Sequence, residues 1–434
     1  MTNKFTLKGR YARIASFTLL LFLPQLGVAQ DAHLTLQKAI DAAVSGDLWQ
    51  QGNALKKQAY IDDSIAAATL PDPKLNLTAA NLPIDSFNFD QEAMTQLKVG
   101  ITQMFPRGDT LQLKQTQSHQ RGELTDYLGQ DRAARVAMTV GQLYLDAYLA
   151  QQTATLIEKS RGLFEQLVGF TQKSYESAYG KAQQQDVIRA ELELSRLDEQ
   201  LTKVWQSYDS SYQKMLEWLP LTENSRTLDQ QRPDIAPLRS LRRDDWQSLA
   251  VILGNHPAVK VIEQQRKIRD TEVNIAKQSY KPEWGVNASY GYRADDPMGN
   301  SRSDFFTVGL TFDLPIFTSS RQDKRVSAAK YRAEAVETER QLLLRRLRAD
   351  VESTLAQLER LHQRNQRFQD TLLVQTHQQA KSALNAYTAD IGDFAEVMRA
   401  HIAELNTQIE AEQIQVERLK QTVKLNYLLV GTLY

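Results

Sequence analysis

Six histidines, His33, His119, His256, His362, His377 and His401, are the side chains of this 434-residue chain best suited to bind a metal. No two stand as H-x-x-x-H, the spacing that sets two imidazoles on one helix face. No metal site is expected, and any metal would be a passenger. The chain has no cysteine, which removes disulfides, thiolate ligands, cysteine nucleophiles and an N-terminal lipid anchor. There is no phosphate-cradling glycine loop and no G-x-S-x-G elbow. Arg107-Gly108-Asp109 matches a cell-adhesion tripeptide, but directly after Pro106 it reads as a turn into a helix. Nothing points to catalysis, so the chain reads as a non-enzyme without a cofactor.

If the side chains carry no chemistry, the elements must carry the function. Lysine plus arginine total 52 and aspartate plus glutamate 52, for a formal net charge of +0. A nucleic-acid binder would show a basic excess. Residues 1–29 have the form of a secretory signal peptide. Lys4, Lys8, Arg10 and Arg13 precede the apolar run IASFTLLLFL, and cleavage is expected near Ala29. That run is far shorter than the roughly 20 apolar residues a membrane helix needs. No later segment is long and apolar enough either, so any membrane insertion must use strands.

Proline placement divides the chain. The 113 residues between Pro106 and Pro220 contain none, and neither do the 119 after Pro315. Both stretches are rich in Ala, Leu, Gln, Glu, Lys and Arg, which favour helix. Leu344, Leu347, Val351, Leu355, Leu358 and Leu361 recur at spacings of three and four, close to a coiled-coil seam. Each stretch has one break, at 177–186 and at 385–393. The helices before the breaks, about 108–176 and 317–384, would each be roughly 100 Å long at 1.5 Å per residue. They read as long antiparallel hairpins.

The two halves repeat each other. KVGITQMFP (98–106) and TVGLTFDLP (307–315) align at an offset of 209, as do KLNLTA (74–79) and EWGVNA (283–288). The order of helix, strand, loop, strand and long hairpin occurs twice. The domains expected are a leader (1–29), a first repeat (30–219) with strands about 74–80 and 96–105 and a hairpin over 107–219, a connector (220–243), and a second repeat (244–434). The second repeat has strands about 283–292 and 305–314 and a hairpin over 316–430. Shorter helical segments, about 36–68 and 244–279, precede the strands.

Each strand alternates. Leu75, Leu77 and Ala79 share one face, as do Val99, Ile101 and Phe105, then Trp284, Val286, Ala288, Tyr290 and Tyr292, then Phe306, Val308, Leu310, Phe312 and Leu314. The opposite faces are polar or small, which suits a transmembrane β-barrel wall with a watery lumen. An ordinary half-buried sheet shows the same period of two. Here, however, the other segments are long hairpins, and no apolar layer remains to cover such a sheet. Four strands cannot close a barrel, and open edges are not tolerated in lipid. A cyclic homo-oligomer supplies the missing strands, and three copies would give twelve.

The sequence resembles the TolC family of outer-membrane efflux channels, especially the members that serve metal- and drug-exporting pumps of the resistance-nodulation-division type. The residues that carry the resemblance are LPDPKLNLTAANLPID (70–85), GITQMFPRGD (100–109), YGKAQQQDVIRAELELSRLDEQL (179–201), GLTFDLPIF (309–317) and KLNYLLVGTLY (424–434). The resemblance spans essentially the whole mature chain. It implies an α+β membrane protein: a homotrimer whose four strands per protomer make a twelve-stranded outer-membrane barrel, continued by a long periplasmic α-helical barrel. Its partners would be a periplasmic adaptor and an inner-membrane pump that supplies the energy. Segments about 31–47, 220–245 and 420–434 are candidates for the family's equatorial region.

By the same resemblance the periplasmic gate corresponds to Asp393 and Glu396, three apart and on one helical face. Threefold symmetry would make them a ring of six carboxylates that concentrates cations. The alternative is an acidic first turn stabilised by the helix dipole. Asp186, in the equivalent place of the first hairpin, reads as a cap or constriction partner. The hairpin tips, Tyr179, Gly180, Lys181 and Ala182 with Tyr387, Thr388, Ala389 and Asp390, match the adaptor-docking positions. Thr388 stands where the family's commonest pattern has glycine. Pro106 and Pro315 mark the strand-to-helix junctions. The function implied is passive export of small toxic solutes, metal cations or drugs, through an outer-membrane duct. The alternatives are an outer-membrane channel for type I protein secretion and a periplasmic coiled-coil scaffold.

Overall fold

A computed structural model describes residues 33–177, 182–220, 227–237, 246–389 and 391–430. The leader read in residues 1–29 lies outside the described residues. The elements run β1 (His33–Leu34), α1 (Leu36–Ser45), α2 (Leu48–Ala68), β2 (Lys74–Ala80), β3 (Gln96–Phe105), α3 (Thr110–Glu176), α4 (Gln184–Leu216) and β4 (Thr227–Leu228). They continue with α5 (Trp246–Gly254), α6 (Pro257–Lys277), β5 (Trp284–Tyr292), β6 (Phe305–Phe312), α7 (Gln322–Arg367), α8 (Leu373–Thr388) and α9 (Phe394–Leu428).

Helix α3 has 67 residues, which makes it about 100 Å long. Its counterpart in the second half departs from the single helix expected over 317–384. It starts at Gln322, passes through a π-helical turn at Phe368–Leu372, and continues as α8 to Thr388. The π turn has a packing reason. A seam spaced at three and four residues drifts around a straight helix, and one wide turn resets it. Phe368 is thereby buried with Leu361, Ala411 and Ile414, while Leu372 and Leu373 also reach that cluster.

The two shorter helical segments, read as continuous, are each divided in two. Asp47 follows Gly46 and caps α2, accepting from the Trp49 N–H at 3.1 Å. His256 precedes Pro257 and caps α6 through Nδ1, which accepts from the Ala258 N–H at 3.2 Å. Its Nε2–H donates to the Tyr427 carbonyl of α9 at 3.1 Å. Burial holds the His256 pKa below the ordinary histidine value, against the opposing pull of the Asp131 carboxylate and the Tyr427 carbonyl. The imidazole is therefore a neutral structural link between α6 and α9.

The core is a string of clusters along the helices. Leu34, Leu36, Ala39, Val140, Tyr144, Met215, Leu228 and Val416 form the largest, where α1, α3, α4 and α9 meet. Here β1 pairs in parallel with β4, and the Tyr144 hydroxyl donates to the Leu34 carbonyl at 2.9 Å. Residues 31–32, 221–226, 238–245 and 431–434 of the segments read as equatorial lie outside the described residues. A second cluster joins Leu249, Ile252 and Val259 to Leu347, Val351 and Leu425. A third, near the hairpin ends, joins Ile157, Phe164, Leu197, Phe394, Met398 and Leu405.

Candidate functional site

Strands β2, β3, β5 and β6 form one antiparallel sheet in that order. The register sets Leu77 beside Val99, Val99 beside Tyr290, and Tyr290 beside Phe306. One face therefore carries Leu75, Leu77, Val99, Ile101, Trp284, Tyr290, Tyr292, Phe306, Val308, Leu310 and Phe312, and every one of these is exposed. Gly100, Thr102, Asn287, Ser289, Thr307 and Gly309 lie on the other face. The strands have 7, 10, 9 and 8 residues, close to the 9–11 of a transmembrane strand. Aromatic residues gather at both ends, with Phe105 stacked on Trp284 at 4.1 Å beside Phe312, and with Tyr290, Tyr292 and Phe306 at the other end. Such bands suit the two interfaces of a bilayer.

Exposure of so many large apolar side chains to water is unfavourable. A contiguous exposed apolar patch of this kind marks an interaction surface. Strands β2 and β6 are also open edges, each with a row of unpaired backbone groups, and no charge on β6 discourages pairing. Among the described residues no helix is long and apolar enough to cross a membrane, a fact that does not bear on strands.

At the helix end of the sheet, Arg107-Gly108-Asp109 forms a joint. Arg107 pairs with Asp313 and donates to the Lys281 carbonyl at 3.1 Å. Asp109 pairs with Lys281 at 2.8 Å. Gly108 has φ +46, and a β-carbon there would collide with the Lys281 side chain, so only glycine fits. The Glu283 N–H donates to Asp313 at 2.6 Å. Pro106 and Pro315 flank this joint, which locks the first repeat's strand exit to the second repeat's. The sequence reading of a turn did not foresee this cross-link, because its partners lie more than 170 residues away.

Both hairpin ends lie at one end of the molecule. Tyr387 at the end of α8 meets Phe170 of α3 at 5.9 Å and Phe394 of α9 at 5.5 Å. Gly392 lets the turn close tightly, since a β-carbon would stand 2.8 Å from the Tyr387 nitrogen. Thr388 donates to the Asn385 carbonyl at 3.0 Å, Ala389 follows it, and Ala182 is half-buried. Tyr179, Gly180, Lys181 and Asp390 lie outside the described residues. Asp393 caps α9, accepting from the Ala395 N–H at 3.1 Å. Glu396 sits in the same turn and pairs with Arg399 at 2.8 Å. Asp186 closes a capping box on α4, accepting from the Gln183 N–H at 3.0 Å. Each of the three carboxylates thus has a partner within its own helix.

One cluster escaped the sequence reading. Glu404 of α9 meets His377 of α8 at 2.7 Å and His401 at 3.4 Å. The signal available was His401-x-x-Glu404, a one-face spacing, but its third member joins only through the hairpin. Among the described residues no group of three such side chains could hold a metal.

Residues 248–431 match the outer membrane efflux protein family. A segment of 88 residues is 34% identical to the nickel-cobalt-cadmium resistance protein NccC of Alcaligenes xylosoxydans xylosoxydans. That segment is 19% of either chain, so the match spans about a fifth of the curated relative's length. Similarity of fold is far broader. The Campylobacter jejuni CmeC outer membrane channel matches with TM-score 0.74 and 12% identity, over 91% of this chain and 85% of that one. The Vibrio cholerae outer membrane protein VceC matches with TM-score 0.70 and 14% identity, over 91% and 95%. Residues 248–431 are thus similar in sequence to outer membrane efflux proteins, and nine tenths of the chain shares its fold with the outer-membrane channels named above.

Proposed function

We propose that the protein is the outer-membrane exit duct of a tripartite efflux system, through which small toxic solutes pass passively to the exterior. The observation that carries this reading is the sheet: one face of exposed large apolar side chains, one polar face, and two open edges. Joining β6 of one copy to β2 of the next satisfies both edges. Three copies close twelve strands, the apolar face meets lipid, and the polar face lines water. The long hairpins then continue the tunnel into the periplasm.

In this reading Asp393 and Glu396 line the periplasmic gate, with Asp186 as a constriction partner. Their partners within the helix hold the carboxylates in place, and threefold symmetry crowds them. The tips at 179–182 and 387–390 face an adaptor protein, and an inner-membrane pump of the resistance-nodulation-division type supplies the energy. The relative's name points to divalent metal cations as one cargo class, with drugs as the other. Deletion of the gene tests the reading: it should sensitise the cell to metals or drugs while secreted proteins are unchanged. Outer-membrane fractions should hold heat-modifiable trimers with single-channel conductance. Loss of protein secretion alone would point instead to a type I channel, and a soluble periplasmic monomer would reject the duct.

A further inference from the structure

Across β2, β3, β5 and β6 the only charged side chains are Lys74 and Lys98. Both lie on the polar face, Lys74 beside Thr102 and Lys98 between Thr78 and Gly291. The Lys98 stem crosses Gly291, whose missing β-carbon would sit 3.4 Å from Lys98 Cγ. The ion pairs at the sheet's helix end are Arg107–Asp313 and Lys281–Asp109, and neither involves these two lysines. No carboxylate lies within the four strands; Asp85, Asp90 and Glu92 lie in the loop between β2 and β3, and Asp295, Asp296 and Asp304 in the loop between β5 and β6. Asp313 is held by Arg107, Asp304 is engaged by the Tyr290 hydroxyl from the apolar face, and Glu283 precedes β5.

We infer that the membrane section of the duct prefers anions, with Lys74 and Lys98 as its selectivity-determining residues. Cargo then crosses it as anions or charge-compensated solutes, and bare cations are disfavoured there. The inference rests on the duct reading above. Lys98 lies four residues along β3 from the Thr102 that faces Lys74, about 13 Å at the rise of a strand. With the usual barrel tilt the two levels are about 10 Å apart along the pore. Three copies therefore give two rings of three ammonium groups, with no facing carboxylate. At physiological salt the screening length is about 8 Å, and at 0.01 M it is about 30 Å. The rings act separately at high salt and as one positive collar at low salt. A divalent cation is repelled twice as strongly as a monovalent one. The acidic gate reading gives the opposite preference at the far end of the tunnel, so the lysines must be measured with those acids neutralised.

The test uses full-length trimers in planar bilayers, with reversal potentials read across a KCl gradient. In an Asp393→Asn, Glu396→Gln background, chloride should be favoured over potassium by roughly threefold or more at low salt, and the preference should fade toward 1 M. Adding Lys74→Gln and Lys98→Gln should bring the ratio to one or below, each single change should give part of the shift, and Lys98→Arg should keep the preference. Should the double glutamine variant fail to assemble, the singles and the salt dependence of the parent carry the same decision. A conducting trimer that favours potassium, or one indifferent to the lysines, overturns this inference and leaves the duct standing. A trimer that never conducts overturns both.

Discussion

The apolar face of the sheet yields a prediction whose sign depends on what surrounds it. Val308 lies at the middle of β6 beside Ala288 and is 60% exposed. Its neighbour Thr307 sits beside Ser289 on the opposite face. In water, replacing an exposed valine with arginine should change stability by no more than about 0.5 kcal/mol, and it would shrink an apolar patch. In lipid the same arginine at mid-depth costs about 2–4 kcal/mol. Three copies share the barrel, so the cost per assembly is about 6–12 kcal/mol. In the duct reading Thr307→Arg faces lumen water and should cost little.

The assay is the heat-modifiable trimer band and its dissociation temperature in outer-membrane fractions, measured for both variants in parallel. Val308→Arg should lower the dissociation temperature sharply or abolish the trimer, and Thr307→Arg should leave it close to wild type. Equal tolerance of the two would mean that the apolar face does not meet lipid. Equal loss would mean that the two faces are not distinguished by their surroundings, and the assignment of lumen and lipid would fail.

Acid should loosen the helical region through His256. Its folded pKa lies below the unfolded value, so its contribution is fully present above about pH 6.5 and is lost as the pH falls below it, by at most about 1.4 kcal/mol per pH unit per chain. His256→Asn keeps a capping side chain, and thermal denaturation between pH 7.5 and 5 should show a shallower slope than wild type. Asp393→Asn with Glu396→Gln should weaken cation preference in single-channel recordings without changing trimer yield, and unchanged selectivity would remove these residues from the gate. Gly180 replaced by tryptophan should abolish export while trimers still form; normal export would end the docking assignment.

The sheet was legible because a sheet with one apolar and one polar face imposes a period of two, and TVGLTFDLP shows that period within nine residues. β3 ends at Phe105 before Pro106, and β6 at Phe312 before Pro315; proline removes a donor that a continuing ladder needs. What escaped the reading depends on residues that meet only in three dimensions. The π turn at Phe368 answers the placement of Ala411 and Ile414 on α9, and no local signal in FQDTL announces it. The divisions at Gly46-Asp47 and His256-Pro257 did carry local signals, a glycine stop with an acidic cap and a proline at the first helical position. The strong helical composition around them masked those signals. His377 joins Glu404 and His401 only after the hairpin folds.

The halves are duplicates in order but not in detail, and the difference falls at the joint. Val99, Gly100 and Thr102 have counterparts in Val308, Gly309 and Thr311, whereas Arg107 corresponds by offset to Ile316 and Asp313 to Met104. The bond between Arg107 and Asp313 therefore has no mirror image within the chain. The β3–β5 ladder already holds the two strand pairs in one sheet. One asymmetric bond ties the exit of the first pair to the exit of the second, with Lys281 and Asp109 closing the other side. The joint thus links the exits of β3 and β6 to the segment that enters β5, besides the covalent connections of the strands to their helices.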